Sequence, residues 1–277
     1  MIEHAATRER LAALHHDGFV LLPGVLTAPR ITELRSAIDR LTPVGLDYQG
    51  LLDDHYKCVF NRDPFWLAFL DLPCVIELAE AALGADCHII GQTAWRSRPG
   101  FIGGDLHADY LAIELPEQLL ADPGLELPMQ VCTAHLHLDD IDADLCPTRV
   151  IPGSHRAGRK PRLGETAWHG REPEPVLCRA GDMLFFRSDL WHSGSRNRTT
   201  DRSRYLLQVH YGRRMVAQKS RPTWHSPSTL SYWRRRPRAS AGCWVNTSRP
   251  NTTDWHGPCN GTINEAAPGG LDTRPER

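Results

Sequence analysis

The sequence predicts an all-β core with helical flanks. Three observations carry that prediction: short runs rich in aromatic and β-branched residues, frequent Gly and Pro breaks between them, and helical periodicity confined to the first third of the chain. With 277 residues, 41% of them hydrophobic, the chain can bury one sizeable core, and a barrel of this length need not be two domains.

Taken in order, residues 5–16 form a short helix that feeds a brief strand over Phe19–Leu22, and Pro23-Gly24 turns the chain. Thr27 is placed to cap the next helix, with Pro29 tolerated in its first turn. Ile31, Leu34, Ile38 and Leu41 recur at helical spacing and give one buried stripe. From 42 to 61 the pattern breaks, with Gly and Asp interleaved among aromatics. A second helical stretch follows Pro73, with Ile76, Ala79 and Leu83 on one face and Gly84 at its end. Residues 88–95 alternate as a strand, and 99–104 form a loop that leads to His107-Ala108-Asp109. Residues 129–138 read as another strand, 139–144 as an acidic turn, and Cys146-Pro147-Thr148 runs into Arg149-Val150-Ile151. Two further strands, 183–186 and 205–211, are joined by His192 and a polar connection that ends on Arg202 and Arg204.

The bulk charge excludes little but localises something. Net charge is −1, which makes no case for a polyanionic partner. Nine Arg or Lys and no Asp or Glu fall between 213 and 249, so the rest of the chain is acidic. Beyond residue 218 the text changes character: Arg234-Arg235-Arg236-Pro237-Arg238, four tryptophans between 224 and 255, and many Ser, Thr, Asn and Pro residues without a period. Residues 1–218 are therefore read as the functional domain and 219–277 as a basic, irregular tail, disordered or extended. A nucleic-acid-associated module would need that charge as a stripe with aromatic platforms on a folded face, and no nucleic-acid partner is expected. The triplets at Asn246, Asn251 and Asn260 are of glycosylation type and carry no meaning in a cytosolic protein. Eight cysteines are scattered without zinc-ribbon spacing, which reads as reduced thiols. The first residues lack a basic region followed by an apolar run, and no stretch approaches a membrane span. A cytoplasmic monomer or homodimer without membrane contact is expected.

Chemistry concentrates in two places. Two residues apart on a strand point the same way, so His107 and Asp109 can chelate one ion together. With His192 delivered from a neighbouring strand, two imidazoles and one carboxylate suit a non-haem ferrous site that keeps positions open. A rival cluster is His135-Leu136-His137, whose two imidazoles share a strand face as in cupin metal sites; they can equally line a pocket or pack. Arg204 shares a strand face with Leu206, Gln208 and His210, whereas Arg202 falls in the turn. His155 reads as structural, closing a turn.

Gly181-Asp182, His192, Asn197 and Arg204, preceded by His107-Ala108-Asp109 and by Pro152-Gly153-Ser154-His155, resemble the phytanoyl-CoA dioxygenase family. The similarity begins near Asp17-Gly18-Phe19-Val20, fades after Gln218 and covers about three quarters of the chain. It implies a double-stranded β-helix, a jelly-roll barrel of cupin type, and a non-haem dioxygenase that uses Fe(II), 2-oxoglutarate and O2 to oxidise a small organic substrate. On this resemblance His107, Asp109 and His192 hold iron, and Arg204 pairs with the far carboxylate of the keto acid through its planar fork. Ser193 and Ser195 flank Gly194, the position where the family places a hydroxyl contact to the keto acid. Lys57 and Gln92 lie where the family has co-substrate or substrate contacts, though a surface lysine and a strand glutamine are the ordinary reading. Asp109 separates the chain from the halogenating branch, in which Gly or Ala leaves room for chloride. Hydroxylation of a secondary metabolite is the outcome expected, with succinate and CO2 released; desaturation, epimerisation and ring closure use the same oxidant.

Overall fold

A computed structural model describes residues 2–120, 125–219 and 244–245. Apart from Lys219 and the pair 244–245, which lies parallel to His88 and Ile89, the tail read as irregular falls outside the described residues. So do the three Asn triplets and Cys243 and Cys259.

Among the described residues, three helices of more than ten residues flank the sheets: α1 (Ile2–His16), α2 (Ala28–Asp39) and α3 (Pro73–Leu83). The helical stripe of α2 is as the spacing requires, with Leu34 and Ile38 buried. Thr27 precedes it in extended conformation, yet its side chain makes no cap bond; its carbonyl accepts from the Ile31 N–H at 3.0 Å. In α3 the buried face is Val75, Leu78, Ala79, Ala82 and Leu83, so Ile76 lies at its margin. Gly84 ends the helix with φ +103°, a conformation that costs glycine least.

Ten strands follow the chain: β1 (Phe19–Leu22), β2 (Tyr48–Gly50), β3 (Asp53–Lys57), β4 (His88–Ser97), β5 (Val131–His137), β6 (Thr148–Val150), β7 (Glu174–Pro175), β8 (Met183–Arg187), β9 (His192–Gly194) and β10 (Arg204–Gly212). The large sheet runs β1-β8-β5-β10-β4-β3-β2, and the small one β7-β6-β9. Every pairing among these ten strands is antiparallel. The hairpin β2–β3 occupies the stretch where no periodicity was legible. Its β3 sequence, Asp-Asp-His-Tyr-Lys, does not alternate apolar with polar, because its inward face meets a polar cavity rather than a core.

One face of the large sheet packs against the helices. Tyr205, Leu207, Val209 and Tyr211 of β10 join Leu34, Ile38, Leu78 and Leu83 in the main hydrophobic cluster. The two tyrosines place their hydroxyls on acceptors, Tyr205 on Asp39 at 2.7 Å and Tyr211 on the Leu70 carbonyl at 2.9 Å. The opposite face of the same strands looks toward the small sheet, and the cavity lies between them.

Candidate active site

A cavity of ≈ 530 Å³ opens between the large sheet, β9 and the loop that carries His107 and Asp109. Alternation along β10 puts Arg204, Leu206, Gln208 and His210 on its wall, as the sequence pattern requires. β3 adds Asp53, His55 and Lys57 by the same period.

The loop 99–109 becomes strand-like where it meets β9. His107 and His192 form an isolated antiparallel bridge, each N–H donating to the other's carbonyl at 2.9 Å. Gly103 makes the approach possible: at φ +89°, a Cβ there would sit 2.6 Å from the Gly194 carbonyl oxygen. The Ser154 hydroxyl accepts from the Trp191 N–H at 2.9 Å, and the Trp191 indole donates to the Arg159 carbonyl at 2.9 Å. The residue before His192 is thus fixed on both sides, which gives Pro152-Gly153-Ser154-His155 its structural use. His155 is buried and its Nε2 contacts the His15 carbonyl at 3.2 Å, in keeping with a structural role.

His107, Asp109 and His192 form the one group of three or more metal-ligating side chains found among the described residues, with ligand atoms all within 4.8 Å of one another. Nε2 of His107 is 3.6 Å from Asp109 Oδ1, and Nε2 of His192 is 3.9 Å from Oδ2. Both Nδ1 atoms are engaged by backbone carbonyls, His107 with Asp105 at 2.8 Å and His192 with Leu190 at 2.9 Å. That leaves each Nε2 lone pair turned toward Asp109, the tautomer a metal requires. Burial lowers the His192 pKa to about 4 despite the pull of Asp109, so the ring is neutral. Burial works the same way on His107, but the hydrogen bond and charge of Asp109, helped by Asp105, outweigh it and raise the pKa. For Asp109 burial acts upward, and the two imidazoles together bring the carboxyl well below its usual range.

Arg204 lies buried on β10. One terminal nitrogen donates to the Cys146 carbonyl at 2.7 Å, the other to Ser97 Oγ at 3.2 Å, and Ser97 in turn donates to Asp53 at 2.6 Å. Its Nε is buried without a partner, and no carboxylate lies within ion-pair distance of the guanidinium among the described residues. Asp53 reaches it only through Ser97, and a buried cation without a direct counter-ion is costly until an anion joins it. Asn197 shapes the turn that delivers Arg204: its amide donates to the Arg202 and Ser97 carbonyls, and its oxygen accepts from Thr199.

Of the remaining expected contacts, Lys57, Gln92 and Ser193 line the cavity and Ser195 does not. Gln92 is fully buried, with its amide nitrogen donating to the Trp66 carbonyl at 3.0 Å. Gly194, flanked by the two serines, lines the cavity itself. His135 reaches the wall, but neither it nor His137 gathers a third ligand among the described residues. Both are neutral in the fold, His137 with a pKa lowered to about 3 by burial and then by the charge of Arg204. The tie between His135 and β10 is specific. Trp95 Nε1 and Thr93 Oγ1 both donate to Gln208 Oε1, at 2.7 and 2.8 Å, so the Gln208 amide nitrogen donates to His135 Nε2 at 2.7 Å. Sequence reading missed His55, Trp95, Thr148 and Lys219 on this wall; strand alternation opposite Arg204 and Gln208 was the signal that could have found the first two.

Comparison with known proteins agrees with this picture. The family model described as Phytanoyl-CoA dioxygenase (PhyH) matches residues 14–205. An uncharacterised protein of Mycobacterium tuberculosis is 25% identical over 216 residues, covering 75% of this chain and 76% of that one. Ectoine dioxygenase of Nocardia farcinica is 26% identical over 229 residues, covering 69% of this chain and 73% of the relative. Among solved structures, the epimerase SnoN in complex with Fe3+, alpha-ketoglutarate and nogalamycin RO superposes with a TM-score of 0.62 at 20% identity, over 81% of this chain and 93% of that one. That likeness is one of fold, and it bears out the jelly-roll architecture, which the two antiparallel sheets build here.

Proposed function

The chain belongs to the phytanoyl-CoA dioxygenase family, and on that premise we propose that its cavity holds a ferrous ion on His107, Asp109 and His192 and seats 2-oxoglutarate on Arg204. It is a non-haem Fe(II)- and 2-oxoglutarate-dependent dioxygenase acting on a small molecule. The observation that carries the site assignment is the convergence, in one cavity, of an N,N,O donor set and a buried guanidinium without a direct carboxylate partner among the described residues.

The residues fit the groups assigned to them. Two Nε2 atoms and a carboxylate oxygen match the preference of ferrous iron and leave positions for other ligands. The guanidinium fork is matched to the distal carboxylate of a dicarboxylic keto acid. When bound, iron and 2-oxoglutarate supply the oxidising power: substrate C–H, keto acid and O2 become substrate C–OH, succinate and CO2. The chain's own part is positional. Asp105 and Leu190 hold the imidazoles in the ligating tautomer, Ser97 and Cys146 orient Arg204, and Asp53 accepts the Ser97 proton that would otherwise face the guanidinium. Leu206 and Phe101 contribute apolar surface that limits water in the cavity.

We read the substrate as a secondary metabolite, a reading that the likeness to SnoN, an epimerase from nogalamycin biosynthesis, supports, and we take hydroxylation as the outcome on the family resemblance. The catalytic unit is taken as residues 1–218 with Lys219 added, because the Lys219 N–H donates to the Ile90 carbonyl at 2.8 Å and its side chain lines the cavity. No helix among the described residues is long and apolar enough to cross a membrane; a cytoplasmic monomer or homodimer without a nucleic-acid partner completes the proposal. The test is anaerobic titration with ferrous iron and then 2-oxoglutarate, following the visible charge-transfer band of a chelated keto acid. A band that grows to one equivalent is expected. Bound iron with no band on adding keto acid would overturn the assignment.

A further inference from the structure

The end of the cavity away from Arg204 carries two lysines, neither of them in a direct ion pair among the described residues. His210 lies six positions after Arg204 along β10, roughly 20 Å of extended strand. Beside His210 lies Lys219, its ammonium 3.2 Å from His210 Nδ1. The Lys219 side chain runs past Gly91 of β4, its Cβ and Cδ within van der Waals reach of the space a side chain there would take. Lys57 enters the same end from β3. The charges of both lysines act on His55, which burial foremost, and then Lys57 and Lys219, bring to a pKa of about 4. His55 itself stacks flat on Trp95, ring centres 3.6 Å apart and planes at 8°.

Neither ammonium meets a carboxylate at ion-pair distance among the described residues. The acid whose charge reaches Lys219 is Asp109, whose oxygens the proposed metal would occupy. Burial lowers the Lys219 pKa, with Asp109 opposing, and an incoming anion relieves that cost.

Resting on the function proposed above, we propose that the substrate carries an anionic group, which Lys219 and Lys57 bind at the cavity end opposite Arg204, against the His55–Trp95 wall. The recognised chemistry is a carboxylate or a phosphate monoester on a small, partly flat molecule.

The test uses the full chain and three probes: 3-phenylpropionate, phenethyl phosphate and the neutral 3-phenylpropanamide. Each is titrated into the anaerobic Fe(II)·2-oxoglutarate complex, following the visible band, and separately into the metal-free protein by ligand-observed NMR. At least one acid is expected to bind about tenfold more tightly than the amide. That preference should fall to within about twofold in Lys219→Met and shrink in Lys57→Met, while affinity for the neutral amide stays within about twofold in both variants. The acid with the greater preference identifies the anion. Equal binding of acids and amide, no binding of either acid, or a preference intact in both variants overturns the proposal. Lys219→Gln replaces Lys219→Met if thermal unfolding shows the latter misfolded. A wild-type protein that forms no band but still prefers the acids by NMR would overturn the function proposed above and leave this inference standing.

Discussion

The two faces of β10 are both largely buried and chemically opposite. Tyr205, Leu207, Val209 and Tyr211 face the helices and interlock with aliphatic side chains. Arg204, Leu206, Gln208 and His210 face the cavity, where only Leu206 is apolar. One face is held by area removed from water, the other by donors matched to acceptors. The cavity face is also left incomplete: Arg204 Nε, Gln92 Oε1 and His135 Nδ1 are buried without partners. The difference separates what keeps this protein folded from what makes it able to bind.

Substitutions on the two faces should therefore fail in different measurements. The largest effect is expected at the metal group: His192→Ala should abolish the keto-acid band while thermal unfolding still shows a cooperative transition. A band of unchanged intensity would mean that iron sits elsewhere. On the helix-facing side, Leu207→Ala should destabilise the fold by about 2–5 kcal/mol in urea unfolding and leave 2-oxoglutarate affinity within about twofold. Arg204→Met, on the other face of the same strand, should do the reverse. It should weaken 2-oxoglutarate binding by about 1.5–3 kcal/mol in anaerobic titration, with iron affinity and unfolding midpoint nearly unchanged. If Leu207→Ala weakened the keto acid as much as Arg204→Met, the two faces would not be separable.

The smallest expected effect is that of pH. His137 is buried, neither of its ring nitrogens has a hydrogen-bond partner, and its pKa is lowered from 6.5 to about 3. The unfolded chain takes up its proton first, so this imidazole's contribution is intact above pH 6.5 and is lost as pH falls toward 3. The slope is about 1.4 kcal/mol per pH unit for one such group. Comparing urea unfolding at pH 7 and pH 5.5, His137→Leu should flatten the acid loss by about that amount. An unchanged slope would show that His137 is protonated or hydrated in the native state.

The same contrast explains what could be read from the text. Helix α2 and the outward face of β10 were legible because burial there is apolar and periodic. The triad and Arg204 were legible for another reason: few arrangements of His, Asp and Arg recur at that order and spacing, and the structure brings all four residues to one cavity. The hairpin β2–β3 was not legible, since Asp53, His55 and Lys57 alternate toward a polar space and leave no hydrophobic signal. Lys219 was hidden by position, one residue past the point where the composition turns basic and irregular. Ser195 falls one residue past the end of β9 and is absent from the cavity wall although it is two residues from Ser193, so alternation alone gives no warning of it.

The bridge between His107 and His192 has one further consequence. Two reciprocal amide contacts join the loop to β9, and that loop brings two of the three donors. Its detachment would strip a bidentate arm in a single motion instead of loosening one ligand at a time. If iron binds as proposed, its occupancy and the docking of the loop are one linked equilibrium, and limited proteolysis should find residues 99–109 protected at saturating metal and cleaved on its removal.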